Sequence, residues 1–477
     1  MHMLSGCILG TEKPDIAVEI PPAYRHAGSK PYAAMPTHEW WKGFRSRELT
    51  ALIGEAQQAN FDIAAAVGRI LQADAQSRLL GAPLLPNIEA GGDAVRSRSS
   101  AQTSSAAGVG AAVPGARAGA RPERTIYSAT LSAAYEIDFW GKNRAALRAA
   151  EENAVASRFN REVVHLTTTA SVANAYFQVL AAQDLLRIAR NNETSASRIL
   201  GLFEQRLQAG TSSELETAQQ QSVVATQRAA IPPLEQRLRE NVHALAVLIG
   251  RPPEFFNVRG GGMGQIATPR VTPGLPSDVL TQRPDIRQAE ALLASANADV
   301  ESARAAFFPS ISLTGQGGYQ SNALRTLFQP EAAFFNLAAS VTQPIFDGGR
   351  LLGDLDLQRG RQEEFLQLYR KAIIQSFADV ENALVAVQQT ARRERLLREV
   401  ISSSRRAFEI SESRLREGTI DLVTLLSTQQ TLFQAQDAAA LARLAHLQSI
   451  VSLYQALGGS WAADPAAVSP AVISSSG

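Results

Sequence analysis

The chain has 477 residues, with 46 Lys and Arg against 45 Asp and Glu and a formal net charge of +1. That balance gives no reason to expect nucleic acid as a partner. No stretch reaches the roughly 20 apolar residues that a spanning helix needs, so membrane passage would have to use β-strands, whose alternation escapes hydropathy windows.

The single cysteine, Cys7, excludes an internal disulfide. It follows Leu4-Ser5-Gly6, the pattern of a bacterial lipoprotein cleavage site, where the thiol carries lipid and becomes the mature N-terminus. The stretch before Cys7 is too short for a signal peptide with a charged start and an apolar core, so either a longer precursor is implied or the pattern is fortuitous. Residues 1–38 are expected to be an N-terminal lipoprotein segment and extended tail.

The chain is written twice. Asn60 to Pro86 resembles Arg283 to Pro309 without a gap, with Asp62 on Asp285, Ile63 on Ile286, Ala73 on Ala296 and Pro86 on Pro309. A strand-like run follows each, Asn87 to Gly91 and Ser310 to Thr314. Further on, Glu204 to Thr211 (EQRLQAGT) matches Glu412 to Thr419 (ESRLREGT). The expected boundaries are 39–258 for the first repeat, 259–276 for a linker, 277–458 for the second repeat and 459–477 for a disordered C-terminal tail.

Each copy reads as helix, strand, loop, strand, very long helix, tight turn, helix. From Tyr127 to Phe139 the odd positions are apolar or small and the even ones mostly polar. Phe335, Leu337, Ala339 and Val341 alternate likewise with Asn336, Ala338, Ser340 and Thr342. A half-buried soluble sheet gives the same pattern. The first run exceeds ten residues, however, which suits a tilted membrane strand better than the usual five or six. Arg96 to Arg124 is polar and low in complexity and reads as a solvent-facing loop.

About Lys142 to Gln208 and Arg350 to Glu417 are long runs without proline, each roughly 100 Å if helical. Ile373, Phe377, Val380, Leu384, Val387 and Ala391 follow a coiled-coil rhythm, as do Leu166, Ala170, Ala173, Phe177 and Leu180. Such a stripe is more often helix packing than a ligand site. The turns fall at Gly210-Thr211 and Gly418-Thr419, glycine being a helix C-terminus signal. Ser212-Ser213 and Asp421 then start the next helices.

Four amphipathic strands cannot close a barrel, and an open edge in lipid leaves backbone groups unpaired at several kcal/mol each. Small barrels begin at about eight strands. The chain would therefore oligomerise, and geometry alone does not choose between two copies and three. No catalytic constellation appears. The six histidines lack metal-site spacing, and no nucleotide-binding loop is present. Gly260 to Gly264 reads as part of the linker.

Several motifs together resemble the tolC-like outer membrane factor family, in its NodT/OprM branch. These are Glu39 to Phe44 (EWWKGF) followed by Leu49, Leu52 and Ile53; Asn60 to Ile63 with Arg69 and Gln72; Gln282 to Glu290 (QRPDIRQAE); Ala303 to Gly315 (ARAAFFPSISLTG); and Gln343 to Arg350 (QPIFDGGR). The likeness runs from about Trp40 to Gly459. It implies a mixed α and β membrane protein, a homotrimer with a twelve-stranded barrel continued by a periplasmic helical coiled-coil barrel. It also implies an N-terminal lipid at Cys7 in the outer membrane, and no enzymatic activity or cofactor. The implied partners are a periplasmic adaptor and an inner-membrane pump, often of the resistance-nodulation-division type. The expected gate is the second hairpin tip, with Asp421, Leu425 and Ser427 at or near the constriction. Asp421 is equally well read as a helix cap, and Ser427 replaces the aspartate more usual in the family. Gly210, Thr211, Gly418 and Thr419 form the expected adaptor-facing tips. The alternative is a coiled-coil scaffold or adaptor without channel activity.

Overall fold

A computed structural model describes residues 18–26, 39–98, 123–269, 271 and 274–459. Cys7, most of the low-complexity loop and nearly all of the C-terminal tail lie outside the described residues. The order is α1 (Arg47–Ala59), α2 (Phe61–Gly81), β1 (Asn87–Ser97), β2 (Arg124–Ile137), α3 (Lys142–Gln208), α4 (Glu214–Leu248), α5 (Pro276–Gln282), α6 (Pro284–Ala305), β3 (Ser310–Ser321), β4 (Ala333–Thr342), α7 (Arg350–Arg416) and α8 (Leu422–Ala456). The long helices α3 and α7 each have 67 residues, and their followers α4 and α8 each have 35.

The chain forms two compact units. One unit comprises residues 73–154 and 293–365 of the described chain. It holds a four-stranded antiparallel sheet in the order β1-β2-β3-β4, with the adjoining helix ends. Those ends are joined by polar contacts between small side chains. Asn153 donates to the Ser295 hydroxyl at 2.8 Å, and Ser295 donates to the Ala149 carbonyl at 2.9 Å. Gln362 donates to Asn297 at 2.8 Å. Short side chains at such contacts let helices approach closely.

The other unit contains residues 155–292 and 366–459 together with the described part of 15–72. Its main core joins Trp40, Trp41, Phe44, Leu49 and Ile53 to Val172, Ala173, Phe177 and Leu180 of α3 and to Leu447, Ile450, Val451 and Tyr454 of α8. Trp40 stacks on Tyr454 with ring centroids 4.9 Å apart. The coiled-coil stripes read from sequence supply much of this interior, since Ala170, Ala173, Phe177, Leu180, Ile373, Val380 and Leu384 are all buried. The stretch before the first helix straps onto α7. The Arg25 amide donates to Glu381 at 2.5 Å, His26 Nδ1 lies 2.6 Å from the same carboxylate, and Tyr24 is buried among Val279, Val380 and Leu453.

The helix boundaries have local causes. The Ser213 side chain accepts from the Glu216 amide while Glu216 reaches back to the Ser213 amide, a capping box. At the other end of each hairpin turn, Gly210 and Gly418 both take φ of +73. Thr211 donates to the Arg206 carbonyl and Gly210 to that of Leu207. Thr419 and Gly418 do the same to Arg414 and Leu415. These are two Schellman caps of identical pattern, in which glycine accepts the left-handed conformation without strain.

Candidate channel wall, crossings and gate

The sheet is the first candidate element. Directly opposed residues of an antiparallel ladder share a face, so the register assigns every strand residue to one side. On one side stand Ile88, Ala90 and Ala94 of β1, Tyr127, Leu131, Tyr135 and Ile137 of β2, Ile311, Leu313 and Tyr319 of β3, and Phe335, Leu337, Ala339 and Val341 of β4. On the other stand Glu89, Asp93, Ser128, Thr130, Ser132, Glu136, Gln316, Gln320, Asn336 and Ser340. The two copies' alternations therefore fall in phase across the β2–β3 pairing. Among the described residues the apolar side is left open, with Ile88 at 65%, Phe335 at 82% and Leu337 at 78% exposure. Exposed apolar patches of this kind mark a surface meant for another phase or partner. Gly315 and Gly317 lie beside Leu337 and Phe335, which close over the missing side chains.

The strand-to-helix crossings are built around two aspartates. Asp138 accepts from the amides of Asn143 at 3.0 Å and Arg144 at 2.9 Å, capping α3. Asp347 accepts from the amides of Gly349 at 3.0 Å and Leu351 at 2.9 Å, capping α7. Burial pushes the Asp138 carboxyl up, but those amide bonds and the Arg144 guanidinium outweigh it and hold it below the usual range. Trp140 stacks on Phe308 with centroids 4.6 Å apart, and its Nε1 donates to the Pro309 carbonyl at 2.9 Å. Gly348 and Gly349 have φ of +69 and +85, which makes the swerve at the second crossing. Around the first crossing, Ile137, Trp140, Phe308, Pro309 and Pro344 line an open cavity of about 400 Å³.

The hairpin tips are the second candidate element. Asp421 is the N-cap of α8, its carboxylate accepting from the Thr424 amide at 2.9 Å. Hydrogen bonds from the Thr424 side chain and amide hold its carboxyl below the ordinary aspartate range. Both Asp421 and Ser427 are exposed. Leu425 is wholly buried instead, in a cluster with Ile199, Phe203, Phe408, Leu415, Leu422 and Leu432. It belongs to the packing of this hairpin tip. Gly210, Thr211, Gly418 and Thr419 are exposed at the two turns.

Contacts that local spacing does not reveal tie the tips together. Arg198 forms an ion pair with Glu412, which also accepts from Arg416. The Arg198 hydrogen bond is the main reason the Glu412 carboxyl sits below its usual range. The Arg206 guanidinium donates to the Leu415 carbonyl at 2.7 Å and to that of Arg416 at 3.1 Å. A second polar cluster lies in the same unit. Glu394 is nearly buried and meets Arg398, Arg443 at 3.3 Å and His446 Nδ1 at 2.6 Å. Burial raises its pKa, but the His446 hydrogen bond and the two guanidinium groups prevail and lower it. Among the described residues no group of three or more metal-ligating side chains comes together, and no helix is long and apolar enough to cross a membrane.

Comparison with known proteins agrees with this geometry. The family model described as "Outer membrane efflux protein" matches residues 52–251 and 275–459. The chain is 40% identical over 470 residues to the pyoverdine export outer membrane protein OpmQ of Pseudomonas aeruginosa, covering 97% of each chain. It is 31% identical over 468 residues to the probable efflux pump outer membrane protein TtgC of Pseudomonas putida, covering 96% of this chain and 94% of that one. The open-state MtrE outer membrane channel of Neisseria gonorrhoeae superposes with a TM-score of 0.82 at 28% identity, over 94% of this chain and 97% of that one. A soluble coiled-coil scaffold would have no use for the one-sided apolar sheet. Matched in sequence through both of its halves and in fold over nearly its whole length, the chain belongs to the outer membrane efflux protein family.

Proposed function

We propose that the chain is one subunit of a homotrimeric exit duct, with twelve strands closing a barrel in the outer membrane and the long helices continuing it as a periplasmic tube. The observation that carries this reading is the sheet itself. It has one continuous apolar face and two edges, on β1 and β4, that no strand among the described residues covers. In lipid each unpaired edge group would cost several kcal/mol, so the edges must be closed by further copies. Twelve strands lie within the range of known membrane barrels and leave room for an aqueous lumen on the polar face. The identical lengths of the paired helices, 67 residues for α3 and α7 and 35 for α4 and α8, support a duplicated chain, with repeats at 39–258 and 277–458 joined by residues 259–276.

The periplasmic end is the gate. Asp421 and Ser427 present polar groups at the second hairpin tip, and Leu425 holds that tip from beneath. Gly210, Thr211, Gly418 and Thr419 meet a periplasmic adaptor, whose contact opens the tip. An inner-membrane pump of the resistance-nodulation-division type supplies the energy, and lipid on Cys7 anchors the assembly. For cargo, the 40% likeness to a pyoverdine export protein favours a pyoverdine-like secreted molecule over a solvent or antibiotic.

The test is fractionation from the native host followed by native mass measurement in detergent. Recovery with outer membranes as a trimer is expected, and a soluble single chain contradicts the reading. Deletion should lower a pyoverdine-like secreted molecule in the culture supernatant. Unchanged secretion with new sensitivity to toxic solutes would assign the cargo otherwise.

A further inference from the structure

We infer that β4 of one copy pairs with β1 of the next in one defined register, with Ala339 opposite Ala94 and Ser340 opposite Asp93. This rests on the oligomeric reading above and adds to it the residues that meet at the seam.

The template is inside the chain. Lys142 and Arg350 begin α3 and α7, Gln208 and Arg416 end them, and Leu248 and Ala456 end the following helices. These pairs all stand the same number of positions apart, so the second copy repeats the first without a slip. On the other side of the loops, Pro86 corresponds to Pro309, and Asn87 therefore to Ser310. The sheet registers check this independently. Asn87 pairs with Ala134 and Ser310 with Thr342, which makes Ala134 equivalent to Thr342 by the same spacing as in the helices.

The β2–β3 ladder is where the first copy meets the second. A closed ring of repeats makes that junction twice per chain, once inside it and once between chains, where β4 takes the part of β2 and β1 of the neighbour that of β3. Within the chain, Leu131 pairs with Gly317, Ser132 with Gln316, Ala133 with Gly315 and Ala134 with Thr314. The equivalents are Ala339 with Ala94, Ser340 with Asp93, Val341 with Gly92 and Thr342 with Gly91.

The register keeps the two faces aligned, and one observation that did not enter its derivation, the exposure at the strand ends, agrees with it. The phase is right, because Ala339 and Ala94 both belong to the apolar face and Ser340 and Asp93 both to the polar one. A shift by one residue would have crossed the faces. The length is also right. The internal ladder reaches the Ile137–Ile311 pair, whose equivalent is Ile345 with Ile88. In the single chain β4 stops at Thr342, and Ile345 is left 90% exposed and Ile88 65% exposed. Pairing through Gln343 to Ile345 would bring these two side chains together.

Paired cysteines test the register in outer membranes. Opposed residues have Cβ atoms about 4.5–5.5 Å apart and those displaced by two about 7–8 Å, whereas a disulfide needs about 3.5–4.5 Å. Ser340→Cys with Asp93→Cys, and separately Ala339→Cys with Ala94→Cys, should convert the single-chain band on a non-reducing gel to one three chains heavy, reversed by thiol. The single substitutions control for Cys7. Ser340→Cys combined with Gly91→Cys or with Val95→Cys should leave most of the protein in the single-chain band. Linkage of a displaced combination as strong as that of the matched ones overturns the register, and so does a native trimer in which neither matched pair links. A parent protein that is a single chain by native mass overturns the oligomeric reading and this inference with it.

Discussion

Arg206, in the last turn of α3, donates through its guanidinium to the main-chain carbonyl of Leu415, in the last turn of α7, at 2.7 Å. A long cation thus adds a second donor to the Leu415 carbonyl, which Gly418 already caps, and reaches the Arg416 carbonyl, where the negative end of the helix dipole also favours it. Beside it, Arg198 pairs with Glu412. These two contacts hold the first hairpin against the second at their tips. Arg206→Ala should remove about 1.5 kcal/mol from the closed arrangement, or roughly tenfold in the ratio of closed to open. Single-channel recording would show it as longer or larger openings, and an unchanged record would mean that the tips are held elsewhere.

Asp421 sets the charge of the second tip. Its folded pKa lies below that of a free aspartate because Thr424 hydrogen-bonds the carboxylate. The direction fixes the pH response. The cap's contribution is complete above the ordinary aspartate range near about 4 and is lost as pH falls through the lowered value. Three such residues would make an acidic ring, so cation preference should hold at neutral and mildly acidic pH and decay only as pH falls below the ordinary aspartate range. Asp421→Ala should abolish the preference at neutral pH. Reversal potentials in unequal salt measure it, and equal selectivity in the variant would reduce Asp421 to a helix cap alone.

Glu394 is the anion that lets Arg443 and His446 sit in the interior between α7 and α8. Glu394→Ala leaves Arg443 without its counter-charge and His446 without its hydrogen-bond partner, and should destabilise the helical unit by about 3 kcal/mol. Thermal melting followed by circular dichroism at neutral pH should shift down by several degrees. Because the folded pKa of Glu394 is lowered, wild type should lose this contribution only as pH falls below the usual carboxylate range, and the two melting curves should converge there.

Gly318 has no room for a side chain. A Cβ there would lie 2.1 Å from the Ala129 carbonyl oxygen and 2.8 Å from the Thr130 Cα, both main-chain atoms that cannot yield. Gly318→Ala should therefore force the β2–β3 ladder apart and lower the yield of the oligomer in outer membranes. Gly353→Ala, where nothing lies within 4 Å, should be tolerated. Similar oligomer yields for both would contradict the ladder as drawn.

Much of this fold was legible because its signals are periodic and long. The run from Lys142 to Gln208 without proline became α3 with those ends, and the alternation after Tyr127 became β2. The partner strands were harder to read. Asn87 to Gly91 and Ser310 to Thr314 were the expected extents, yet β1 continues to Ser97 and β3 to Ser321. Gly91, Gly92, Asp93, Gly315, Gly317 and Gly318 are poor strand formers in isolation. Pairing with neighbours, and close backbone approach at Gly318, carries them.

Tertiary contacts explain the other differences. Pro232 and Pro233 stand inside α4, where local rules would end a helix. Ion pairs from Arg228 to Glu193 and from Glu235 to Arg190 bind α4 to α3 on both sides of them. The stretch from Gly260 to Gly264 has a linker's composition, yet it is tightly packed. Met263 is buried and donates its amide to Asp184 at 2.9 Å, while the Gly260 amide donates to Glu48 at 3.2 Å. Of the residues expected at the gate, Asp421 and Ser427 are exposed in the single chain and Leu425 is buried, since its position falls on the inner face of the hairpin. In the Glu394 cluster only Arg398, four residues on, is a local partner; Arg443 and His446 come from α8, which sequence spacing does not reveal.

The account stands or falls on whether copies of this chain enclose a water-filled path. Protein extracted from outer membranes and added to a planar lipid bilayer should insert in discrete steps of equal conductance, favour cations, and come from particles three chains in mass. Particles of one chain that leave the bilayer silent would contradict it.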